Sequence, residues 1–524
     1  MLRRRLWYPL AVTLLLGQMA VAMVTTAVQQ SPTIDEPVYV ATGEVYRREH
    51  SLRYNPEHPP LGKLIMATGV SFGGARLDPA FQGNQTELGR HLLYENGNDA
   101  ARLMLLARLP IILLTLLFGL VVLAFAGDLA GPWGGLVALA LYAFSPDVIA
   151  HGSLATLDVP TAGLLLTAFW LVWRSRERPL PALPLAGVAL GAALATRMSA
   201  LPAVPVLLLL VLLSPVGRPS ATGWRRLGPR VAAAIGVGLI AVAVVWLAYL
   251  AVDPRLRWTT PPGLPGGLCR LAADLLPFPR PYRDGVLIQL RFEGQDFNGF
   301  LLGHAYRGSR WYYEPVALLI KTPLGMLALW LAGTITMLVV PRLRTASLYL
   351  LAPAAVLMTV ALTGARDFGT RYVIFMPMFL AVAAGTVMLI KLRAALVAFV
   401  AISSLRTFPY YLPYSNEAFG GPAKTHEHLH DSAVDWGQDL ARLGTRLRER
   451  YPGQPVWLVY KGSGVPEYYG IRGRDPLRVP ADQVRGLLVV SDSRVALATG
   501  RLTELIATST AIDEVGHSIT IYRR

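Results

Sequence analysis

"RLPIILLTLLFGLVVLAFAG", residues 108–127, decides the class of fold. Apart from Arg108 at its start, the stretch carries no charge, and as a helix it would extend over about 30 Å, the thickness of the hydrocarbon core of a bilayer. Similar runs recur along the chain, of whose 524 residues 53% are hydrophobic and only 16% charged. The sequence therefore predicts a polytopic α-helical membrane protein rather than a soluble one.

Hydropathy predicts about eleven transmembrane helices. Their approximate ranges are 7–27, 108–127, 132–150, 159–173, 181–196, 199–214, 231–252, 315–340, 346–363, 372–390 and 394–412. A cleaved signal peptide at the N-terminus is rejected, because the first apolar run is long and no small-residue cleavage site follows it.

The orientation follows from the basic residues of the short loops. Arg3–Arg5 place the N-terminus in the cytoplasm, and eleven crossings then put the other basic clusters on the same side. These clusters are Arg174/Arg176/Arg178, Arg218/Arg225/Arg226/Arg230, Arg342/Arg344 and Lys391/Arg393. The formal net charge of +16 is thus explained by topology and anionic lipids, and nucleic acid is not predicted as a partner.

The outer side of the membrane receives a loop at 28–107, a short turn around 151–158, a loop at 253–314 and the tail from 413. In the tail, "PVWLVY", "GLLVVSDS" and "SITIYRR" read as strands, and "DLARLGTRLRER" reads as a polar helix. We therefore predict a membrane domain at 1–412, with both long outer loops contributing to the active site, and a small extracytoplasmic α/β domain at 413–524.

Two adjacent acids, Asp35 and Glu36 in "SPTIDEPVYV" (31–40), follow the first predicted span. Ionisable groups at the membrane are costly and are usually paired, hydrated or functional. The alternative is helix-start chemistry, in which Thr33 caps a helix and both acids occupy its first turn. Position alone leaves both interpretations open.

The same loop continues with "YNPEHPPLGKLIM" (54–66), in which His58 and Lys63 flank a rigid Pro-Pro pair. Cations beside acids near the lipid surface suit a substrate that carries a phosphate. A rigid interfacial turn with a snorkelling lysine is the alternative.

Further ionisable residues fall near the outer ends of the spans. Asp147, His151 and Asp158 lie in "FSPDVIAHGSLATLDVP", and Asp158 could instead be a helix N-cap. The others in this group are Arg197, Lys321, Arg366, Asp367 and Arg371. Several cations near several acids on one side indicate a site for an anionic lipid and for acid–base chemistry.

Other chemistries lack the residues they need. His426, His428 and His430 alternate as metal ligands on a strand could, but no further ligands accompany them, so a solvated loop is favoured. The single Cys269 forms no internal disulfide. No Walker A, G-x-G-x-x-G or H-E-x-x-H motif occurs. The sequence requires no cofactor and supports no metal site.

Five motifs together resemble the GT-C glycosyltransferases of the protein-O-mannosyltransferase-like group, which use polyprenyl-phosphate sugars. They are "DEP", "NPEHPPLGK", "SPDVIAHGSLATLD", "GSRWYYEPVALLIKTPL" and "DSAVDWGQDL", spread over nearly the whole chain. The resemblance implies a GT-C-like fold and inverting transfer of one sugar, most often mannose, on the outer membrane face. Related aminoarabinose transferases carry a lysine where this chain has His58, which favours a mannose-type donor.

The resemblance also implies roles for individual residues. The family's acidic base corresponds to Asp35, with Glu36 as its neighbour, and a second acid corresponds to Asp158. The cations that face the lipid phosphate correspond to His58, Lys63 and Arg371. Arg197 and Lys321 join this predicted donor-phosphate set because of their position at the outer side.

The partners predicted are a polyprenyl-phosphate monosaccharide, an acceptor hydroxyl and the bilayer. The acceptor stays open between a protein, an envelope glycan or lipid, and a secreted natural product. The alternatives are a polyprenyl-linked glycan flippase and an oligosaccharide ligase. A transporter would place ionisable groups at mid-membrane and show repeat symmetry, neither of which the sequence indicates.

Overall fold

The chain forms a helical membrane protein with a small sheet domain near its C-terminus; the computed structural model describes residues 2–214 and 224–524. Five helices are long and apolar enough to cross a bilayer: Trp7–Gln29, Ala100–Ala143, Pro179–Thr196, Leu227–Val252 and Pro341–Ala361. A bent helix pair would make a sixth span. The prediction of a multi-pass protein is confirmed, whereas the count of eleven is not. Arg218 of the predicted inner clusters lies outside the described residues.

The helices of the first half are α1 (Leu2–Gln29), α2 (Glu36–Glu49), α3 (Leu61–Val70), α4 (Gln85–Arg90), α5 (Ala100–Ala143), α6 (Pro146–Gly152), α7 (Asp158–Arg174), α8 (Pro179–Thr196), α9 (Ala203–Leu213) and α10 (Trp224–Val252). Those that follow are α11 (Gly267–Asp274), α12 (Arg280–Glu293), α13 (Tyr313–Lys321), α14 (Leu324–Val339), α15 (Pro341–Ala361), α16 (Phe375–Ala384), α17 (Ile390–Thr407), α18 (Leu440–Arg450), α19 (Asp492–Ala496) and α20 (Arg501–Ala507).

Two predicted spans have different boundaries in the structure. The span at 132–150 continues α5 through a kink at Gly131 (φ 73°) and ends at Ala143, and α6 follows as a separate helix. The span at 315–340 is broken into α13 and α14, which are bent by 119°. The physical reason is Pro323, because the residue before a proline avoids helical geometry and Thr322 is extended.

Small residues allow the transmembrane helices to approach closely. In α8, which packs between α7 and α10, a Cβ on Gly187 would lie 2.9 Å from the carbonyl oxygen of Val237. A Cβ on Gly191 would lie 2.7 Å from the carbonyl oxygen of Ala241. Close backbone approach is how helices gain packing energy in lipid, where the hydrophobic effect gives no preference for protein over lipid.

The first long loop folds against the start of α5. Helices α2, α3 and α4 bury an apolar cluster that includes Val40, Met66 and Leu88 together with Leu103 of α5. In α3, Gly62 is required by packing, since a Cβ there would come within 2.4 Å of the Leu157 side chain. The loop is therefore an ordered scaffold and not a flexible connection.

The tail contains the predicted α/β unit. Its sheet has the order β4-β3-β5-β7-β6, formed by β3 (Val456–Val459), β4 (Gly473–Arg474), β5 (Leu487–Ser491), β6 (Thr510–Val515) and β7 (Ile519–Arg523). A separate hairpin, β1 (Asn298–Leu301) with β2 (His304–Arg307), lies in the second long loop. Helix α18 packs on one face of the sheet and α20 on the other. The domain boundary at 412/413 stays a prediction.

The motif "DWGQDL" (435–440) joins the tail to the first loop. The backbone N–H of Ser31 donates to the carbonyl of Gln438 at 2.9 Å, and that of Ile34 donates to Trp436 at 3.1 Å. The Ser463 hydroxyl donates to the carbonyl of Thr33 at 2.8 Å. The segment immediately before Asp35 is thus held by the tail.

Candidate functional site

Two cavities meet beside Asp35. The first has a volume of about 480 Å³ and is mainly apolar, with walls from α7, α12, α15 and the start of α16. Its apolar lining includes Leu165, Leu201, Leu290, Leu357, Val360 and Phe375. The second has a volume of about 640 Å³, is more polar and lies between the first loop and the tail. Its lining includes Asp35, Tyr39, Glu57, Tyr460, Lys461, Ser463 and Arg494.

One set of residues lines both cavities and so marks their junction. It consists of His58, Asp158, Arg197, Gln289, Arg366, Arg371 and Tyr372. Three guanidinium groups surround the Tyr372 ring, at 5.5 Å (Arg197), 5.8 Å (Arg366) and 5.0 Å (Arg371) from its centroid. Guanidinium groups bind phosphate oxygens through paired N–H donors, so the junction suits a phosphate.

Asp35 faces the polar cavity and pairs with Arg371 across 2.7 Å. Arg371 also donates to the Tyr372 hydroxyl at 3.1 Å and lies 4.4 Å from the ring centroid of Trp436. Trp436 belongs to the "DWGQDL" motif, which therefore supports the arginine that holds Asp35. The turn that presents Arg371 begins at Gly369, whose φ of 120° favours glycine.

The second predicted acid, Asp158, pairs with Arg197 at the start of α7. Its side chain is not a cap in the structure, since Leu157 occupies the N-cap position without a side-chain hydrogen bond. Arg366 donates to Glu293 at 2.6 Å and to Gln289 at 3.0 Å. Of the three junction arginines, only Arg371 pairs with a carboxylate of the first loop.

His58 lines both cavities but carries no charge there at neutral pH. Burial, and then the positive charges of Arg197 and Lys63, lower the pKa of its imidazole well below 6.5. A neutral imidazole donates one hydrogen bond without contributing charge. His58 is thus placed to contact a phosphate or sugar as a polar group and not as a cation.

Glu36 is fully buried and lines neither cavity. Arg108 donates to it at 2.7 and 2.6 Å, and the N–H groups of Thr33 and Ala155 donate at 2.8 and 2.7 Å. Burial alone would raise the pKa of Glu36, but the charge and hydrogen bonds of Arg108 and the two N–H groups hold it below its ordinary value. The helix-start interpretation is only partly met, because Glu36 begins α2 but Asp35, and not Thr33, occupies the N-cap position and makes no side-chain cap hydrogen bond. The predicted part of Glu36 in the reaction stays untested.

Lys63 is also fully buried and lines neither cavity. Its Nζ donates to the Tyr46 hydroxyl at 3.0 Å and, within its own loop, to Asn55 and the His58 carbonyl at 2.8–3.0 Å. Burial lowers the pKa of Lys63 to about 7. The ammonium group fixes the Pro-Pro turn that carries His58, and it does not snorkel to the surface.

Lys321, predicted in the donor-phosphate set, points into the protein at the end of α13 and is buried. Its Nζ donates to the carbonyls of Leu412 and Ala433 and lies 3.5 Å from Asp147. It lines neither cavity. The structure thus brings together Asp35, His58, Asp158, Arg197 and Arg371, and it leaves Glu36, Lys63 and Lys321 outside the junction.

Several cavity residues were not identified from the sequence as part of the site. Arg366 was named among the outer ionisable groups but was given no role in the site, although it shares a segment with Arg371. No signal in the sequence pointed to Lys461, Ser463 and Arg494, because the tail was treated as a separate domain. His430, predicted in a solvated loop, is in fact buried, and burial lowers the pKa of its ring to about 4. Within 2–214 and 224–524, no group of three or more His, Cys, Asp or Glu residues is placed to hold a metal ion.

Residues 12–252 match the family model described as dolichyl-phosphate-mannose-protein mannosyltransferase. This match confirms the resemblance inferred from the motifs. It covers just under half of the 524 residues and includes the acids, the Pro-Pro loop and Arg197. Together with the resemblance, the match supports a glycosyltransferase that uses a polyprenyl-phosphate-linked sugar. No curated protein matches the chain.

Solved structures with similar folds belong to three kinds of enzyme. ArnT from Cupriavidus metallidurans bound to undecaprenyl phosphate is 13% identical, with 98% of this chain and 97% of that chain covered and a TM-score of 0.49. The S. cerevisiae Pmt1-Pmt2 complex is 18% identical, with 48% and 34% covered and a TM-score of 0.35. The apo oligosaccharyltransferase of Archaeoglobus fulgidus is 12% identical, with 84% and 59% covered and a TM-score of 0.44. Similarities this distant assign neither a substrate nor a residue role to this chain.

Proposed function

We propose that this protein transfers a single sugar, mannose, from a polyprenyl-phosphate donor to an acceptor hydroxyl, with inversion at the anomeric carbon. The observation that carries the proposal is the meeting of an apolar and a polar cavity at three arginines and Asp158, with Asp35 beside them in the polar cavity. A polyprenyl chain requires an apolar channel, its phosphate requires cations, and the acceptor hydroxyl requires a base. The residues shared by the two cavities support all three requirements.

The donor fits the apolar cavity with its phosphate at the junction. Arg197, Arg366 and Arg371 would stabilise the charge that develops on the phosphate as it leaves. Because Arg371 already pairs with Asp35, a phosphate that takes over part of its hydrogen bonding would free the carboxylate to accept a proton. The phosphate is a good leaving group, so the reaction needs no protonating acid.

The acceptor enters the polar cavity, where Asp35 accepts the proton of its hydroxyl. The acceptor oxygen forms a bond with the anomeric carbon while the bond from that carbon to the phosphate oxygen breaks. The electron pair stays with the polyprenyl phosphate, and the proton stays on Asp35 until solvent removes it. A single displacement of this kind inverts the anomeric centre.

We further propose that this chemistry takes place on the outer side of the membrane, with the N-terminus in the cytoplasm. The support is the distribution of Arg and Lys among the short loops. The tail, which closes the polar cavity, would then be extracytoplasmic and would meet the acceptor.

The test is sugar transfer by the purified full-length protein in vesicles supplied with polyprenyl-phosphate-mannose and candidate acceptors. Mass analysis should show one added hexose, and Asp35→Asn should reduce kcat by about 10²- to 10⁴-fold, because a general base is lost while the shape of the side chain is kept. Asp78→Asn, an acid of the same loop outside both cavities, is the matched control and should keep wild-type activity.

Two results would refute the proposal. Addition of a whole glycan block would indicate a ligase, and movement of the donor across the bilayer without any product would indicate a flippase. Activity of Asp35→Asn near that of wild type would remove Asp35 as the base.

A further inference from the structure

Glu314 has an unusual environment for a carboxylate. It lies in the first turn of α13 and is 4% exposed, and it lines the apolar cavity but not the polar one. Its Oε2 is buried without a hydrogen-bond partner. Within the described parts of the chain, Glu314 forms no ion pair.

The other cavity carboxylates each have a partner. Asp35 pairs with Arg371, Asp158 with Arg197 and Glu293 with Arg366. Glu57 accepts hydrogen bonds from Asn55 and Gln85. Glu314 is therefore the cavity acid whose hydrogen-bonding capacity is left for a ligand.

A buried carboxyl group without a partner is costly, because it has lost water and gained nothing in exchange. Such a group is retained where a ligand completes its hydrogen bonds. A sugar hydroxyl is a good candidate, because it can both donate and accept a hydrogen bond and so fits a carboxyl group in either protonation state.

We propose that Glu314 binds the sugar of the donor by accepting a hydrogen bond from one of its ring hydroxyls. This inference rests on the proposed function. Glu314 lines the same cavity as Arg371 and Tyr372 of the junction, so a sugar attached to a phosphate held there would adjoin the space that Glu314 lines. Glu314 would thus fix the orientation of the sugar and help to select it, without taking part in proton transfer.

The experiment compares wild type and Glu314→Gln with two lipids: polyprenyl-phosphate-mannose, which carries the sugar, and undecaprenyl phosphate, which does not. We expect kcat/KM with the mannose donor to fall about 3- to 10-fold, the range for a lost hydrogen bond between neutral groups. Binding of undecaprenyl phosphate should stay within about twofold of wild type, which also shows that the variant is folded. Asp284→Asn is the matched control: Asp284 is buried and lines neither cavity, and its carboxylate is satisfied by Trp258, Thr260 and Arg270.

A second measurement uses mannose donors that each lack one hydroxyl. One of these deoxy donors should lower the kcat/KM of the wild type by as much as Glu314→Gln lowers it with the full donor. In the Glu314→Gln variant, the same deoxy donor should cause no further loss. Equal losses for both lipids, or unchanged transfer by Glu314→Gln and Glu314→Asp, would overturn the role of Glu314 while leaving the proposed function intact. Failure of the wild type to transfer any sugar would overturn the proposed function itself.

Discussion

Asp35 and Glu36 are neighbours in sequence but have different surroundings. Successive residues in a helix point about 100° apart, so one side chain at the start of α2 faces the polar cavity while the next faces α5. Glu36 receives five hydrogen bonds in a site closed to solvent, and Asp35 is partly open to the cavity. The first arrangement stabilises the fold, and the second leaves a carboxylate available to a substrate.

Glu36→Gln should therefore destabilise the protein without directly removing a reacting group. The glutamine would place N–H donors where Arg108 and two backbone N–H groups also donate, and it would leave the Arg108 charge without a counter-charge. Breaking a buried pair in this way costs about 3–5 kcal/mol. The measurement is thermal unfolding in detergent, followed by kcat on the folded fraction, which should stay close to wild type.

Asp35→Asn is the matched comparison, because it changes the adjacent acid in the same chemical way. Asp35→Asn should leave thermal stability unchanged and lower kcat, which is the reverse of the result expected for Glu36→Gln. If Glu36→Gln were as stable as wild type but inactive, Glu36 would belong to the reaction and the assignment of roles here would be wrong.

The sequence predicted which residues lie near the junction better than it predicted which of them are exposed to the cavities. Asp35, Asp158, Arg197 and Arg371 were chosen from the sequence as ionisable groups near one membrane face, and they do meet. Lys63 failed to line the cavity for a reason that the sequence does not display: its partners are mainly carbonyl groups, which every residue carries. Backbone acceptors become visible only once the turn is folded.

At the scale of elements, the turn before α16 determines where Arg371 lies. Gly369 adopts φ 120°, and a Cβ there would lie 2.8 Å from the Ser432 hydroxyl and 2.9 Å from the backbone nitrogen of Ala433. Gly369→Ala should shift the turn and separate Arg371 from Asp35. We expect kcat/KM with the polyprenyl-phosphate donor to fall at least tenfold, measured in the same vesicle assay.

Gly421→Ala controls for backbone strain alone. Gly421 also has positive φ, at 74°, but a Cβ there would meet nothing within 4 Å. The substitution should lower the free energy of unfolding by about 1–2 kcal/mol, because alanine is disfavoured at positive φ, with little change in kcat/KM. Equal losses of activity in both variants would show that strain, and not displacement of Arg371, explains the effect.

Hydropathy located the helices but not their breaks. Both α13 and α14 are apolar, so a sliding window reads them as one span, although Pro323 turns the chain by 119° between them. The tail strands β3, β5 and β7 were predicted because each is a short apolar run between turns. Edge strands β4 and β6 were missed, since β4 has only two residues and most of β6 is exposed.

At the scale of the molecule, the tail is part of the site and not an appended domain. It contributes Lys461 and Ser463 to the polar cavity, and its Trp436 lies against Arg371. Composition could not predict this, because a polar α/β unit after the last span looks the same whether it is docked or free. The contacts of Ser31 and Ile34 with "DWGQDL" are backbone hydrogen bonds, which leave no pattern in side-chain chemistry.

One topological requirement follows from the hydrogen bonds between the first loop and the tail: both must lie on the same side of the membrane. The proposed orientation puts the loop between α7 and α8 on the opposite side. The chain offers a simple test, because Cys269→Ser removes its one cysteine. Single cysteines at the exposed positions Gln82 and Glu467 should react with a membrane-impermeant maleimide in intact cells, and one at Glu177 should react only after permeabilisation. Labelling of Gln82 and Glu467 from opposite sides would contradict the docked tail, and labelling of Glu177 in intact cells would reverse the proposed orientation. If instead all three positions follow the expected pattern, a donor that reaches the junction must do so from the outer leaflet, where the tail closes the cavity over it.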